Sequence, residues 1–98
     1  MKIDAFKVMD CSTAHVTEED CNDLLERDDC PIAAYAFEYG HFVYIPQMDI
    51  GDNLRAAKAF GFSDAFVNLL KIASENGCKF IALDCDGMRY KDLPAFEW

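Results

Sequence analysis

Five cysteines, two histidines and eighteen carboxylates are the reactive groups of this 98-residue chain, and their spacing decides which chemistry is open to them. The densest arrangement is Phe80-Ile81-Ala82-Leu83-Asp84-Cys85-Asp86-Gly87. An aspartate at the C-terminal end of a strand, with a second acid two residues on, is what phosphoryl transfer through an aspartyl nucleophile and magnesium requires. That chemistry also needs later strands to supply phosphate-binding and further metal-binding groups, and Met88 to Trp98 is too short to do so. An Asp-Gly turn after a core strand fits better. Cys11 and His15, four apart, have the types of a nucleophile and its base, but no third group can be named to orient the histidine. Together with His41 they lack the closely spaced ligand pairs of a zinc site. No metal and no cofactor is expected. Cys11, His15 and Asp84 remain the alternative set, for a small enzyme or ligand-binding domain.

The acids make the stronger pattern. Between Thr17 and Asp29 lie Glu18, Glu19, Asp20, Asp23, Glu26, Asp28 and Asp29, opposed only by Arg27. Seven acids less one arginine account for six of the nine net negative charges of the chain. The first three suit a helix N-terminus, where the macrodipole favours anions. Glu26, Asp28 and Asp29 gather at the end that prefers cations, a local cost that points to a surface kept for binding. Glu19, Asp23, Glu26, Asp28 and Asp29 are the expected contact set. A solvated acidic face is the bland alternative.

These groups need elements to hold them. Ser63 can cap a helix in which Phe66, Leu69, Leu70 and Ala73 recur at helical spacing, and Asn76-Gly77 offers a left-handed exit. The apolar run Phe80 to Leu83 then reads as a central strand. Upstream, Ile3 to Cys11 suggests a first strand, and Ser12 to His15 a short connection. Thr17 with Asp20 forms a capping-box pattern, Val16 can staple against Cys21, and Leu24 and Leu25 add an apolar stripe ending near Asp28 and Asp29. Ile32 to Glu38 and Phe42 to Ile45 read as a hairpin about Gly40, with His41 at the turn. Asn53 to Ala59 suggests one or two helical turns, and Met88 to Trp98 a tail with a short edge strand. The order predicts an α+β fold of βαββαβ type. This is the split βαβ, ferredoxin-like arrangement, with a four-stranded largely antiparallel sheet and two main helices on one face.

The bulk properties bound the rest. The length suits a single domain over residues 1–98 with one core. No apolar run approaches the eighteen or so residues of a membrane span. Met1-Lys2-Ile3-Asp4 opens no apolar signal region, so a cytoplasmic location is expected. The cysteines are odd in number and form no Cys-x-x-Cys pair, which favours buried, reduced thiols. A net charge of −9 disfavours direct binding to nucleic acid or anionic lipid and favours a partner with a basic surface. The hairpin aromatics Tyr35, Phe37, Tyr39, Phe42 and Tyr44 invite comparison with the RNA-recognition motif. Only Phe42-Val43 aligns with its strand signature, and Glu38 falls where a basic residue belongs.

Three sets of residues carry a resemblance. They are Ser12-Thr13-Ala14-His15-Val16-Thr17-Glu18-Glu19, then Glu38-Tyr39-Gly40 with Phe42-Val43-Tyr44-Ile45-Pro46, and Asp84-Cys85-Asp86-Gly87 with Leu93-Pro94-Ala95-Phe96-Glu97-Trp98. In order and spacing they resemble an uncharacterised family of short acidic proteins from bacterial plasmids, prophages and integrative elements. The resemblance transfers no functional residues and implies a mobile-element setting. Such elements encode small acidic blockers of host defence, anti-CRISPR and anti-restriction proteins among them, some of which resemble DNA in charge. Helical carboxylates advance about 1.5 Å per residue, against about one phosphate per 1.7 Å of duplex axis.

The sequence therefore leads to a non-enzymatic acidic inhibitor in the bacterial cytoplasm. Its expected partner is a protein with a basic, nucleic-acid-binding surface, such as a CRISPR effector or nuclease. The alternatives are the enzyme or ligand-binding domain around Cys11, His15 and Asp84, and an antitoxin-like regulatory module that assembles through the hairpin aromatics.

Overall fold

The computed structural model describes residues 1–26 and 28–98, the side chain of Glu26 excepted. Four strands, β1 (Lys7–Ser12), β2 (Ala34–Phe37), β3 (Gly40–Tyr44) and β4 (Cys78–Asp84), form one sheet in the order β1-β4-β3-β2. β2 and β3 are an antiparallel hairpin, β3 runs antiparallel to β4, and β1 runs parallel to β4. The sheet is largely antiparallel, as expected, and the apolar run Phe80 to Leu83 is central. Helices α1 (Glu18–Glu26), α2 (Ile50–Phe60) and α3 (Asp64–Glu75) complete the α+β fold.

Residue pairing assigns the two sheet faces. Met9, Cys11, Val43, Ile81 and Leu83 share one face with Ala34 and His41, and join Cys21 and Leu24 of α1 and Phe66, Leu69, Leu70 and Ala73 of α3 in a single core. Phe66, Leu69 and Leu70 are fully enclosed, each contributing about 1.5–3 kcal/mol through burial. α3 forms where its cap predicts: the Ser63 hydroxyl accepts from the Phe66 N–H at 3.1 Å, and Gly77 exits at φ +73°.

Several expectations change. Two main helices become three, because the turns expected over 53–59 are an eleven-residue helix over Ile50–Phe60 that packs against α3. Ala57 is buried and Gly61, at φ +118°, ends the helix. The additional helix reverses the chain once more before β4, so β4 enters parallel to β1. The first strand begins at Lys7 instead of Ile3, which stays exposed. The first hairpin strand is shorter than expected, covering Ala34–Phe37, and β3 begins at Gly40. His41 therefore lies within β3, pointing into the core, and not at a turn. Gly40 has no alternative there: a Cβ would fall 1.8 Å from the Leu83 carbonyl oxygen. Thr13–His15 is a 3-10 turn capped by Ser12, and the tail from Met88 to Trp98 forms no strand. Among the described residues no helix is long and apolar enough to cross a membrane.

Candidate partner-binding site

The expected capping box at the start of α1 is present. The Asp20 N–H donates to the Thr17 hydroxyl at 3.0 Å, and the Thr17 N–H donates to the Asp20 carboxylate at 3.0 Å. Asp20 also receives the Ser63 N–H at 2.9 Å and the Ser63 hydroxyl at 2.5 Å, and is only 2% exposed. One of the seven acids is therefore structural, and sequence periodicity gave no signal for its link to α3.

The other described acids of the segment are at least partly exposed. Glu18 and Glu19 are exposed, Asp23 is half-buried one turn on from Glu19, and Asp28 and Asp29 are exposed beyond the helix. The Glu26 side chain and Arg27 lie outside the described residues. Glu19 and Asp23 sit at i and i+4, where like charges repel. Neither forms a salt bridge among the described residues. Among the described residues, Glu19 and Asp23 therefore place two carboxylates in register on α1 with no basic side chain paired to either.

The C-terminal tail forms the other wall of this site. The Phe96 N–H donates to the Ala14 carbonyl at 2.7 Å, and the Trp98 indole N–H donates to the Val16 carbonyl at 3.2 Å. His15 holds the tail upstream: its Nε2 accepts the Tyr90 N–H at 2.8 Å, so the proton is on Nδ1, which donates to the Pro94 carbonyl at 2.7 Å. Between α1 and the tail runs a groove of about 440 Å³ lined by Thr17, Glu18, Glu19, Asn22, Phe96, Glu97 and Trp98. Acids beside a half-exposed indole suit a Lys or Arg side chain, which both the carboxylates and the ring face attract. Sequence reasoning missed Phe96, Glu97 and Trp98 as site residues. A terminal tryptophan after Pro94, in a tail with no alternating pattern, was the available signal.

The alternative catalytic set does not assemble. Cys11 is fully buried on the core face, and burial, with the nearby Asp10 charge, pushes its thiol up to about 12. His15 is buried with both ring nitrogens engaged by the tail. Asp84 lies on the opposite sheet face from Cys11, and its carboxylate accepts the Asp86 N–H at 2.8 Å in a local turn. Gly87 allows this turn to press on β1, since a Cβ there would meet the Cys11 carbonyl oxygen at 2.5 Å. Ligand atoms of Asp84, Cys85 and Asp86 lie within 4.8 Å of one another, but Cys85 and Asp86 are exposed and the half-buried Asp84 is committed to the turn.

The three segments that carry the family resemblance meet at this end of the molecule. Gly40 pairs with Asp84, the Cys85 N–H donates to the Tyr39 carbonyl, the Ser12 N–H donates to the Met88 carbonyl, and Phe96 and Trp98 close over 14–16. No curated protein and no solved structure matches the chain. The C-terminal domain of a family of unknown function, DUF5983, matches residues 8–98, and the chain belongs to that family.

Proposed function

We propose that this chain is a non-enzymatic acidic inhibitor, of the kind mobile elements direct against host defence. It binds a basic, nucleic-acid-binding surface on a CRISPR effector or a restriction nuclease in the bacterial cytoplasm. The observation that carries this reading is the acidic face of α1, with Glu19 and Asp23 in register and no salt bridge to either among the described residues, and with Glu97 and Trp98 lining the groove beside Glu18 and Glu19. Glu19, Asp23, Glu26, Asp28 and Asp29 supply electrostatic steering and pair with Lys and Arg of the partner, in the manner of a short row of phosphates. The buried Cys11 thiol and the hydrogen-bonded His15 ring support a non-catalytic reading.

The test is a salt-titrated pull-down from bacterial lysate, with wild type beside Asp23→Lys/Glu26→Lys. Capture of a nuclease or CRISPR component that weakens with salt and is lost in the double variant supports the proposal. Equal capture by both proteins, or no such component at low salt, overturns it.

A further inference from the structure

The sheet face opposite the helices is covered only at its Ser12 end, where the turn at Gly87 and Met88 closes over β1 and the Met88 N–H donates to the Asp10 carboxylate at 3.4 Å. Pairing places Val8, Phe80 and Tyr44 in one row across it, and Asp10, Ala82, Phe42 and Tyr35 in the next. Phe6 extends the surface, its ring 5.6 Å from that of Phe80. Phe6, Tyr35 and Phe42 are 58%, 63% and 40% exposed, values far above those of the core aromatics. Phe6, Val8, Tyr35, Phe42 and Phe80 ring a shallow apolar depression of about 320 Å³, where their pairing partner Ala82 is small. Isolated exposed aromatics are ordinary, but a contiguous patch of this kind on one sheet face marks an interaction surface.

Charge selects the occupant. The acidic α1 packs on the other side of the sheet, through Cys21 and Leu24, so Glu18, Glu19, Asp20 and Asp23 lie away from this face. The patch itself has two poles. The Lys79 ammonium sits 4.8 Å from the centre of the Phe6 ring, and Asp10 and Asp84 lie towards the far ends of β1 and β4. We propose that this face binds a second copy of the chain. The two sheets pack about a two-fold axis that sets Lys79 of each copy against the Asp10 end of the other and keeps both acidic helices outermost. A four-stranded face spans about 14 Å between its edge strands, so the contact belongs with small, reversible interfaces under roughly 1,200 Å².

Sedimentation equilibrium across the micromolar range tests this. Wild type should show a reversible monomer–dimer equilibrium, weakened about 30-fold or more by Phe42→Glu and by Tyr35→Glu. Lys79→Glu and Asp10→Lys should each weaken it alone, and an equimolar mixture of the two should restore it, because the mixed pair regains both complementary contacts. A wild type that stays monomeric overturns the proposal and leaves the face to a different protein. Dimers unaffected by the aromatic variants, or single charge variants that the mixture does not restore, also overturn it. The outcome is independent of the acidic-face variants, so it can fail without that reading failing.

Discussion

The carboxylate of Asp20 accepts both the backbone N–H and the hydroxyl of Ser63, joining the first turn of α1 to the N-cap of α3. The same Ser63 oxygen accepts the Phe66 N–H, and the same carboxylate accepts the Thr17 N–H. Two helix starts, each with unsatisfied donors and a positive dipole end, are thus served by one buried anion.

Removing that anion leaves buried donors without partners. Asp20→Ala should lower stability by about 3 kcal/mol, and Asp23→Ala, one turn away and not enclosed, by less than about 0.5 kcal/mol. Urea unfolding of the two variants makes the comparison, and equal stabilities would refute the linking role.

His15 fixes the tail, so His15→Ala should free it before it unfolds the core. The loss of two buried hydrogen bonds predicts about 2 kcal/mol of destabilisation. Trp98 fluorescence should shift to the red, and the Tyr90 amide should exchange faster with solvent. Unchanged exchange at Tyr90 would mean that other contacts hold the tail.

His41 gives the fold a defined pH response. Its ring is buried in the core face of β3, no hydrogen-bond partner reaches either nitrogen among the described residues, and burial lowers its pKa from 6.5. Between that lowered value and 6.5 the unfolded chain binds the proton and the folded chain does not, so stability rises with pH. The contribution is complete above about 6.5 and is lost as pH falls towards the folded value. His41→Leu should flatten this part of the stability profile in thermal melts from pH 5 to 7, about the range where a histidine titrates. A profile as steep as that of the wild type would assign the response to other groups.

Thiol labelling should follow burial. Cys85 is exposed, and the buried Cys11 and Cys21 thiols are raised to about 12 and about 11, with desolvation the main cause in each case. An aromatic disulfide reagent should modify Cys85 in the folded protein and reach Cys11 and Cys21 only in denaturant. Rapid labelling of Cys11 in the native state would revive the nucleophile reading.

Two glycines should respond in opposite directions. Gly40→Ala drives a methyl into the Leu83 carbonyl and should cost more than about 3 kcal/mol through loss of the β3–β4 register. Gly51→Ala meets nothing closer than 3.6 Å within α2 and should be neutral or stabilising by up to about 1 kcal/mol. Chemical denaturation of the pair checks both signs.

Local grammar carried much of the fold. The Thr17–Asp20 box, the Ser63 cap, the Gly77 exit and the central strand at Phe80 to Leu83 are read from neighbours a few residues apart and are present, although only Ile81 and Leu83 of that run are buried, since Phe80 and Ala82 face away from the helices. What depends on distant partners was harder. α2 is hard to read because Gly51 and three charged residues, Asp52, Arg55 and Lys58, dilute its apolar stripe, although Ala57 and Leu54 pack on the core side. The tail was misread because its order comes from single hydrogen bonds to 14–16, which no periodicity encodes. The acids of α1 were legible as a set, but the removal of Asp20 from the surface required the position of Ser63, far along the chain.

The parallel pairing of β1 with β4 has a consequence for the newly made chain. β1 and β4 lie far apart in the sequence, so their parallel pairing closes only once Cys78–Asp84 has been made, whereas the β2–β3 hairpin needs only local contacts. Until β4 arrives, Val8, Phe42 and Tyr44 lack their cross-strand partners, while the acidic segment 18–29 should be fully solvated. Its carboxylates then keep neighbouring nascent chains apart by mutual repulsion. A ribosome-bound fragment ending before Cys78 should accordingly remain protease-sensitive through Lys7–Ser12 and yet stay dispersed.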